Sequence, residues 1–306
     1  MIHQSSHQSQ RFIRHSINAF TLCTFGLLTD VATAAVTVSD DLGEKITLAK
    51  PAARVISMTP HATELLFAAG GAQHLVGVDN YSNYPEAAQH IAKVGDNQHI
   101  DLERIIALKP DLVVVWTQSS QERQIEQLRK SGIPLFHSDP RKLDEIPDSL
   151  QRLGKLMGTE AIANPAAQDM RQRLRDLAQQ YANRPPVRVF YQVWDKPLYT
   201  LNGSHIVSDA LRLCGAENIF ARQKIIAPVV SVEAVLQENP EAIFASAERD
   251  GGAFAIWKPF PKLLAVKNGN MFRIDGNLLN RSGPRMIAGA TALCQFLETA
   301  RQHRKK

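Results

Sequence analysis

Tyr81, Trp116, Trp194 and Tyr199 each stand where an apolar run of the chain gives way to a polar turn. Amides and a cation share such turns, among them Asn277 and Arg281. Aromatic rings accompanied by amides and one guanidinium suit a large, flat organic ligand with polar edges. Any one of these rings could equally pack under its own loop. Four at strand exits argue for a common binding surface. His61, His137 and His205 also follow or approach strand ends, and three converging imidazoles would hold zinc or manganese. The chain offers no His-rich loop or ligand-spaced pair to support a metal cage, so this stands as the weaker alternative.

A catalytic set is hard to assemble. GxSxG, P-loop, GxGxxG and HExxH patterns are all missing from the sequence. The paired acids Asp40-Asp41 and Asp144-Glu145 read as solvated loop and helix-face charges. The expectation is a binding protein with no catalytic residues and no cofactor of its own.

The elements that must position these residues repeat. Asp101 to Trp116 recurs in outline at Ser231 to Ser246: a polar residue opens a short helix, Glu103 or Glu233 follows two places later, Pro stops the helix, and an acid precedes an apolar strand. Thr63 to Gly70 and Ser208 to Gly215 share a second rhythm of cap, helix and glycine stop. Strands alternating with short helices predict mostly parallel sheets. Between Leu143 and Asn183 helical spacing persists without a strand, with interruptions at Gly158 and Pro165. Its last stretch puts Met170, Leu174, Leu177 and Tyr181 on one stripe before Pro185-Pro186. The fold class is therefore α/β, two similar lobes with mostly parallel sheets joined by a long backbone helix. The expected division is 35–155 for the N-terminal lobe, 156–185 for the connecting helix and 186–306 for the C-terminal lobe. Glu103 and Glu233 occupy matching first turns, where a carboxylate complements the helix dipole. The repetition also suggests two acidic knobs offered to basic sockets on a two-fold symmetric partner.

Residues 1–34 need separate treatment. Arg11 and Arg14 precede an apolar stretch from Ser16 to Leu28, which runs on to Ala32-Thr-Ala-Ala35. That describes a secretory signal peptide, cleaved near Ala34 or Ala35. The apolar run is short of the roughly 20 residues that span a bilayer. Cys23 has Leu22 before it and no small residue after it, which argues against a lipoprotein anchor. Cleavage removes two basic residues and one acid, so the formal charge of +5 falls to +4. Such mild, dispersed basicity gives no nucleic-acid footprint. Cys214 and Cys294 would remain, and an even pair in an exported protein favours a disulfide over two buried thiols.

Several segments together resemble a known family: Arg54 to Gly70, Val78 to Pro85, Leu102 to Trp116, Leu213 to Phe220, Val230 to Pro240 and Arg281 to Arg285. The chain resembles the periplasmic substrate-binding proteins of ABC importers that carry a helical backbone between lobes, a group handling cobalamin, haem and ferric siderophores. The resemblance implies a class III periplasmic binding protein-like fold, a periplasmic location, and a monomer that delivers its ligand to an inner-membrane ABC permease dimer. Within the group it points to the corrinoid binders. By position, Tyr81, Trp116, Tyr199 and Arg281 match their ligand contacts, with Asn277 in the same loop. Glu103 and Glu233 match glutamates that dock onto permease arginines, and Cys214 and Cys294 match a disulfide. Where those binders carry further tryptophans, this chain has Asn97, Ala227 and Leu278, and Trp194 and Trp257 are expected to compensate. The implied function is capture of cobalamin or another corrinoid as transported ligand. A haem or ferric-siderophore receptor of the same fold is the alternative.

Overall fold

The computed structural model describes residues 1–2, 35–117, 122–246 and 252–304. The signal-peptide reading rests on residues 3–34, which fall outside the described residues, as do 118–121 and 247–251. The described residues from Ala35 to Arg304 pack as one compact unit.

An antiparallel hairpin, β1 (Val36–Ser39) with β2 (Lys45–Leu48), leads into the first lobe. That lobe runs β3 (Val55–Ser57), α1 (Pro60–Ala68), β4 (Leu75–Val78), α2 (Leu102–Ala107), β5 (Leu112–Trp116), α3 (Glu122–Lys130) and β6 (Leu135–Ser138). Two helices follow, α4 (Glu145–Met157) and α5 (Glu160–Tyr181). The second lobe contains β7 (Val187–Gln192), the short strands β8 (Trp194–Asp195) and β9 (Leu198–Tyr199), α6 (Ile206–Leu213), β10 (Ala216–Asn218), α7 (Val232–Glu238), β11 (Ala242–Ser246), α8 (Leu264–Lys267), β12 (Met271–Ile274), α9 (Gly276–Leu279) and α10 (Met286–His303). Both main sheets are four-stranded and parallel, ordered β4-β3-β5-β6 and β10-β7-β11-β12. The expected mostly parallel lobes are what forms.

Period-two alternation sorts the strand side chains onto two faces. In β5, Leu112 and Val114 face a central core while Val113 and Val115 face a smaller one against α2 and α3. In β11, Ala242 and Phe244 join the central core and Ile243 the outer one. Burial on both faces explains why these strands read as unbroken apolar runs. The central core is continuous from Val38 to Ala300, passing from one sheet to the other through α4 and α5.

Helix α5 supplies that continuity. Ala163, Ala167, Met170, Leu174, Leu177 and Tyr181 form its buried stripe over 22 residues, roughly 33 Å of helix. Pro165 does not interrupt it, contrary to the sequence reading. It lies in the second turn, where its missing N–H forfeits one bond, to the carbonyl of Ala161. The break falls only at Gly158, whose φ of +69° closes α4 in the left-handed conformation. Beyond the turn, α4 and α5 touch closely: a Cβ on Gly154 would lie 2.2 Å from that of Ala163. Cys214, at the end of α6, is bridged to Cys294 of α10, Cα to Cα 4.8 Å.

The Asp40-Asp41 pair is not solvated as expected. Asp40 is buried and accepts from the N–H groups of Leu42, Glu44 and His137 and from His137 Nδ1 at 2.6 Å. Asp41 accepts from the N–H of Asp139 and from Arg152. Together they fasten the hairpin to the edge of the first sheet.

Candidate functional site

The carboxyl ends of the two sheets open onto a cleft with two chambers. The smaller, about 240 Å³, is lined from the first lobe by Thr59, His61, Trp116 and Arg141, among others, and from the second by His205, Asn280 and Arg281. The larger, about 680 Å³, holds Tyr81, Asn97, Ile100, Trp116 and Ile125 of the first lobe together with Trp194 of the second. Thr59, Pro60 and Trp116 line both.

Local sequence explains the placement. Trp116 ends β5, so its ring emerges at the sheet's carboxyl edge, fixed by donation from Nε1 to Asp139 Oδ1 at 3.0 Å. Its ring meets that of His61 edge to face, centroids 6.5 Å apart. Tyr81 sits in the turn after β4, where its N–H donates to Asp79 Oδ1, and its side chain is exposed. Trp194 and Tyr199 face each other in register across the β8–β9 hairpin. Trp194 lines the larger chamber, while Tyr199 lines neither. Asn277 lies in α9, where its N–H and its side-chain amide both donate to Asp275. Asn280 and Arg281, a turn further on, line the smaller chamber instead.

The three histidines do not converge. His137 is engaged by Asp40 and by Arg129 and lines neither chamber. His61 and His205 face the smaller chamber from opposite lobes, but both ring nitrogens of His61 and Nδ1 of His205 are committed. His61 Nδ1 meets Thr59 Oγ1 at 2.8 Å and Nε2 meets the carbonyl of Ser138 at 3.3 Å. His205 Nδ1 accepts from the N–H of Val207, capping α6. Burial drives His61 down to about 4, with the Arg281 charge adding to the effect, and burial takes His205 to about 4 as well. Both are neutral at pH 7. Burial raises the Asp79 carboxyl to about 6, with the nearby Asp96 charge pushing the same way. Trp257, expected to line the cleft, is fully buried instead. Its Nε1 donates to Gln192 Oε1 at 2.7 Å and its ring packs edge-on to Phe190.

Sequence reasoning missed two features. The Asp139-Pro140-Arg141 turn, which follows β6 at Ser138, was not among the strand exits read from the sequence. The other is a charge cluster between the lobes. Glu64 of α1, almost wholly buried, accepts from Arg285 Nε at 2.9 Å, Arg285 Nη2 at 2.6 Å and Arg281 Nη1 at 3.2 Å. Arg281 also donates to Asn83 Oδ1 at 2.8 Å, and Arg285 stacks 4.2 Å from the Tyr84 ring centroid. No pattern within either segment marks residues more than two hundred positions apart as partners.

Glu103 and Glu233 are exposed in the first turns of α2 and α7. No helix among the described residues is long and apolar enough to cross a membrane.

Residues 55–278 match the periplasmic binding protein family model. The vitamin B12-binding protein of Vibrio cholerae serotype O1 is 39% identical over 254 residues, 82% of this chain and 91% of that protein. The crystal structure of the periplasmic vitamin B12 binding protein of Vibrio cholerae superposes with a TM-score of 0.77 at 38% identity, covering 82% of this chain and 98% of that one. A periplasmic haem-binding protein from Pseudomonas aeruginosa gives 0.69 at 27% identity, covering 79% and 91%. Two parallel-sheeted lobes on a helical backbone, a shared cleft and these likenesses agree, and the chain belongs to the periplasmic binding protein family.

Proposed function

We propose that the mature chain is a periplasmic receptor that holds cobalamin, or a closely related corrinoid, between its lobes and hands it to the permease of an ABC importer. The observation that carries this reading is the larger chamber, where Tyr81 and Trp116 of one lobe and Trp194 of the other line a single hollow. Rings from both lobes suit a broad macrocycle gripped on two sides. The continuous core and the Glu64 cluster make the lobes stiff, so affinity would come from a largely preformed cleft. The protein acts as a carrier rather than a catalyst, and the 1–34 segment serves as its export signal. Calorimetric titration of purified protein with cyanocobalamin should show saturable binding at micromolar or lower concentration. A silent titration, with a Soret band appearing on addition of haemin instead, would transfer the chain to the haem receptors.

Glu103 and Glu233 are the docking pair in this reading, one per lobe, aimed at basic sites on the permease. The double substitution Glu103→Ala with Glu233→Ala should leave cyanocobalamin binding unchanged and abolish uptake in a complementation assay. Loss of binding in the same variant would assign the two glutamates to the fold or the cleft.

A further inference from the structure

The smaller chamber is rich in donors and poor in free acceptors. It lies between the N-terminal ends of two long-separated helices, α1 at Thr59 to His61 and α6 at Ser204 to Ile206. Each such end carries partial positive charge. Because His205 Nδ1 accepts from Val207, the proton of this neutral ring must sit on Nε2, which has no partner among the described residues. Arg141 and Arg281 add two cations to the lining. The acceptors nearby are taken. Asp139 receives Trp116 Nε1, Thr117 Oγ1 and Arg141 Nε; Glu64 receives both interlobe arginines; Asn280 Oδ1 receives the Tyr191 hydroxyl. A volume of about 240 Å³ is too small for a macrocycle and ample for a charged side arm.

Resting on the corrinoid reading of the cleft, we propose that this chamber is an anion subsite, which takes the phosphodiester of the ligand's nucleotide arm while the larger chamber takes the ring. Donors from both lobes converge on it, so the arm, and not the ring alone, bridges the lobes. His205 Nε2 and Arg141 are the specificity-determining groups, since Arg281 is shared with Glu64.

The test compares cyanocobalamin with dicyanocobinamide, a corrinoid that lacks the nucleotide and its phosphate. His205→Asp keeps an N-cap acceptor for Val207 but replaces the donor with an anion, and Arg141→Gln removes an exposed charge without disturbing the core. Calorimetry should show His205→Asp weakening cyanocobalamin tenfold or more and Arg141→Gln several-fold, each leaving dicyanocobinamide within about twofold. Equal losses for both corrinoids would overturn the subsite, and so would no loss for either. Wild-type protein that binds neither corrinoid would overturn the corrinoid reading beneath it, a result separable from the other two.

Discussion

The two lobes share a scaffold and differ at its rim. Position by position, 130 residues apart, the repeated unit keeps the same devices. Lys109 and Asn239 both take a left-handed φ, +48° and +45°, before the proline. Asp101 and Ser231 both accept a backbone N–H three residues on. Asp111 accepts from the N–H of Arg54, and Glu241 from that of Arg188. Arg54 and Arg188 in turn donate to the carbonyls of Leu108 and Glu238. At the carboxyl edge the likeness stops. Trp116 ends β5, and its counterpart at the end of β11 is Ser246. Two residues separate β3 from α1, whereas thirteen separate β7 from α6 and carry the Trp194–Tyr199 hairpin. Duplication fixed the frame, and divergence of the loops made the binding surface, which is where such folds concentrate function.

If the lobes were independent repeats, damage to one would spare the other. The Glu64 cluster predicts otherwise. Glu64→Ala leaves Arg281 and Arg285 facing each other with their shared anion gone, and urea unfolding should show a loss of about 3 kcal/mol in one cooperative transition. Two resolved transitions, with the second lobe unchanged, would show the lobes to be separable. The disulfide belongs to the second lobe alone, closing 80 residues of chain. Replacing Cys214 and Cys294 with serine should cost roughly 2–4 kcal/mol. The same experiment tells whether the first lobe unfolds in concert.

His61 and His205 look into one chamber from opposite lobes, and both are held neutral by burial. Their folded pKa values lie below the usual 6.5, so the unfolded chain binds protons first as pH falls. The stability they contribute is present above 6.5 and lost on descent toward 4. Between pH 7 and 5, His61 should account for a loss of roughly 2 kcal/mol. Asp79 acts in the opposite sense, because its raised folded pKa penalises the native state above 6 and that penalty fades on acidification. His61→Asn should flatten the wild-type slope of unfolding free energy against pH over this range. An unchanged slope would assign the pH dependence to His205 or to carboxylates elsewhere.

The fold was legible because its signals are local. A capped short helix, a proline and an apolar run are sequential features, and their recurrence gave two parallel lobes directly. The site was legible only in part. The strand-exit rule, which asks only where a strand ends, pointed to Tyr81, Trp116, Trp194 and Arg281, and each lines a chamber. Trp257, expected in the cleft from the resemblance, is instead a buried indole donating to Gln192. Tyr199 and Asn277 line neither chamber, which loop membership alone does not reveal. Glu64 could not be found at all, because its partners are joined only by the tertiary fold.

The smallest expected effect probes the shared frame itself. Asp111 Oδ2 accepts from the N–H groups of both Ala53 and Arg54, at 2.8 and 2.9 Å, and so ties the start of β3 to the start of β5. Glu241 makes the corresponding contact more weakly, at 3.3 Å to the Arg188 N–H, and its carboxylate is drawn instead to Arg304 at 2.5 and 2.8 Å. Backbone donors to a partly exposed carboxylate are worth about 1 kcal/mol together, and a surface ion pair adds less. Asp111→Ala should therefore cost about 1 kcal/mol in urea unfolding and Glu241→Ala about half as much. High salt should shrink only the second, since the Arg304 pair is screened and the short Asp111 bonds much less so. A larger loss at Glu241 would mean that the second lobe has moved the weight of the joint onto its terminal helix, and that the frame too has begun to diverge.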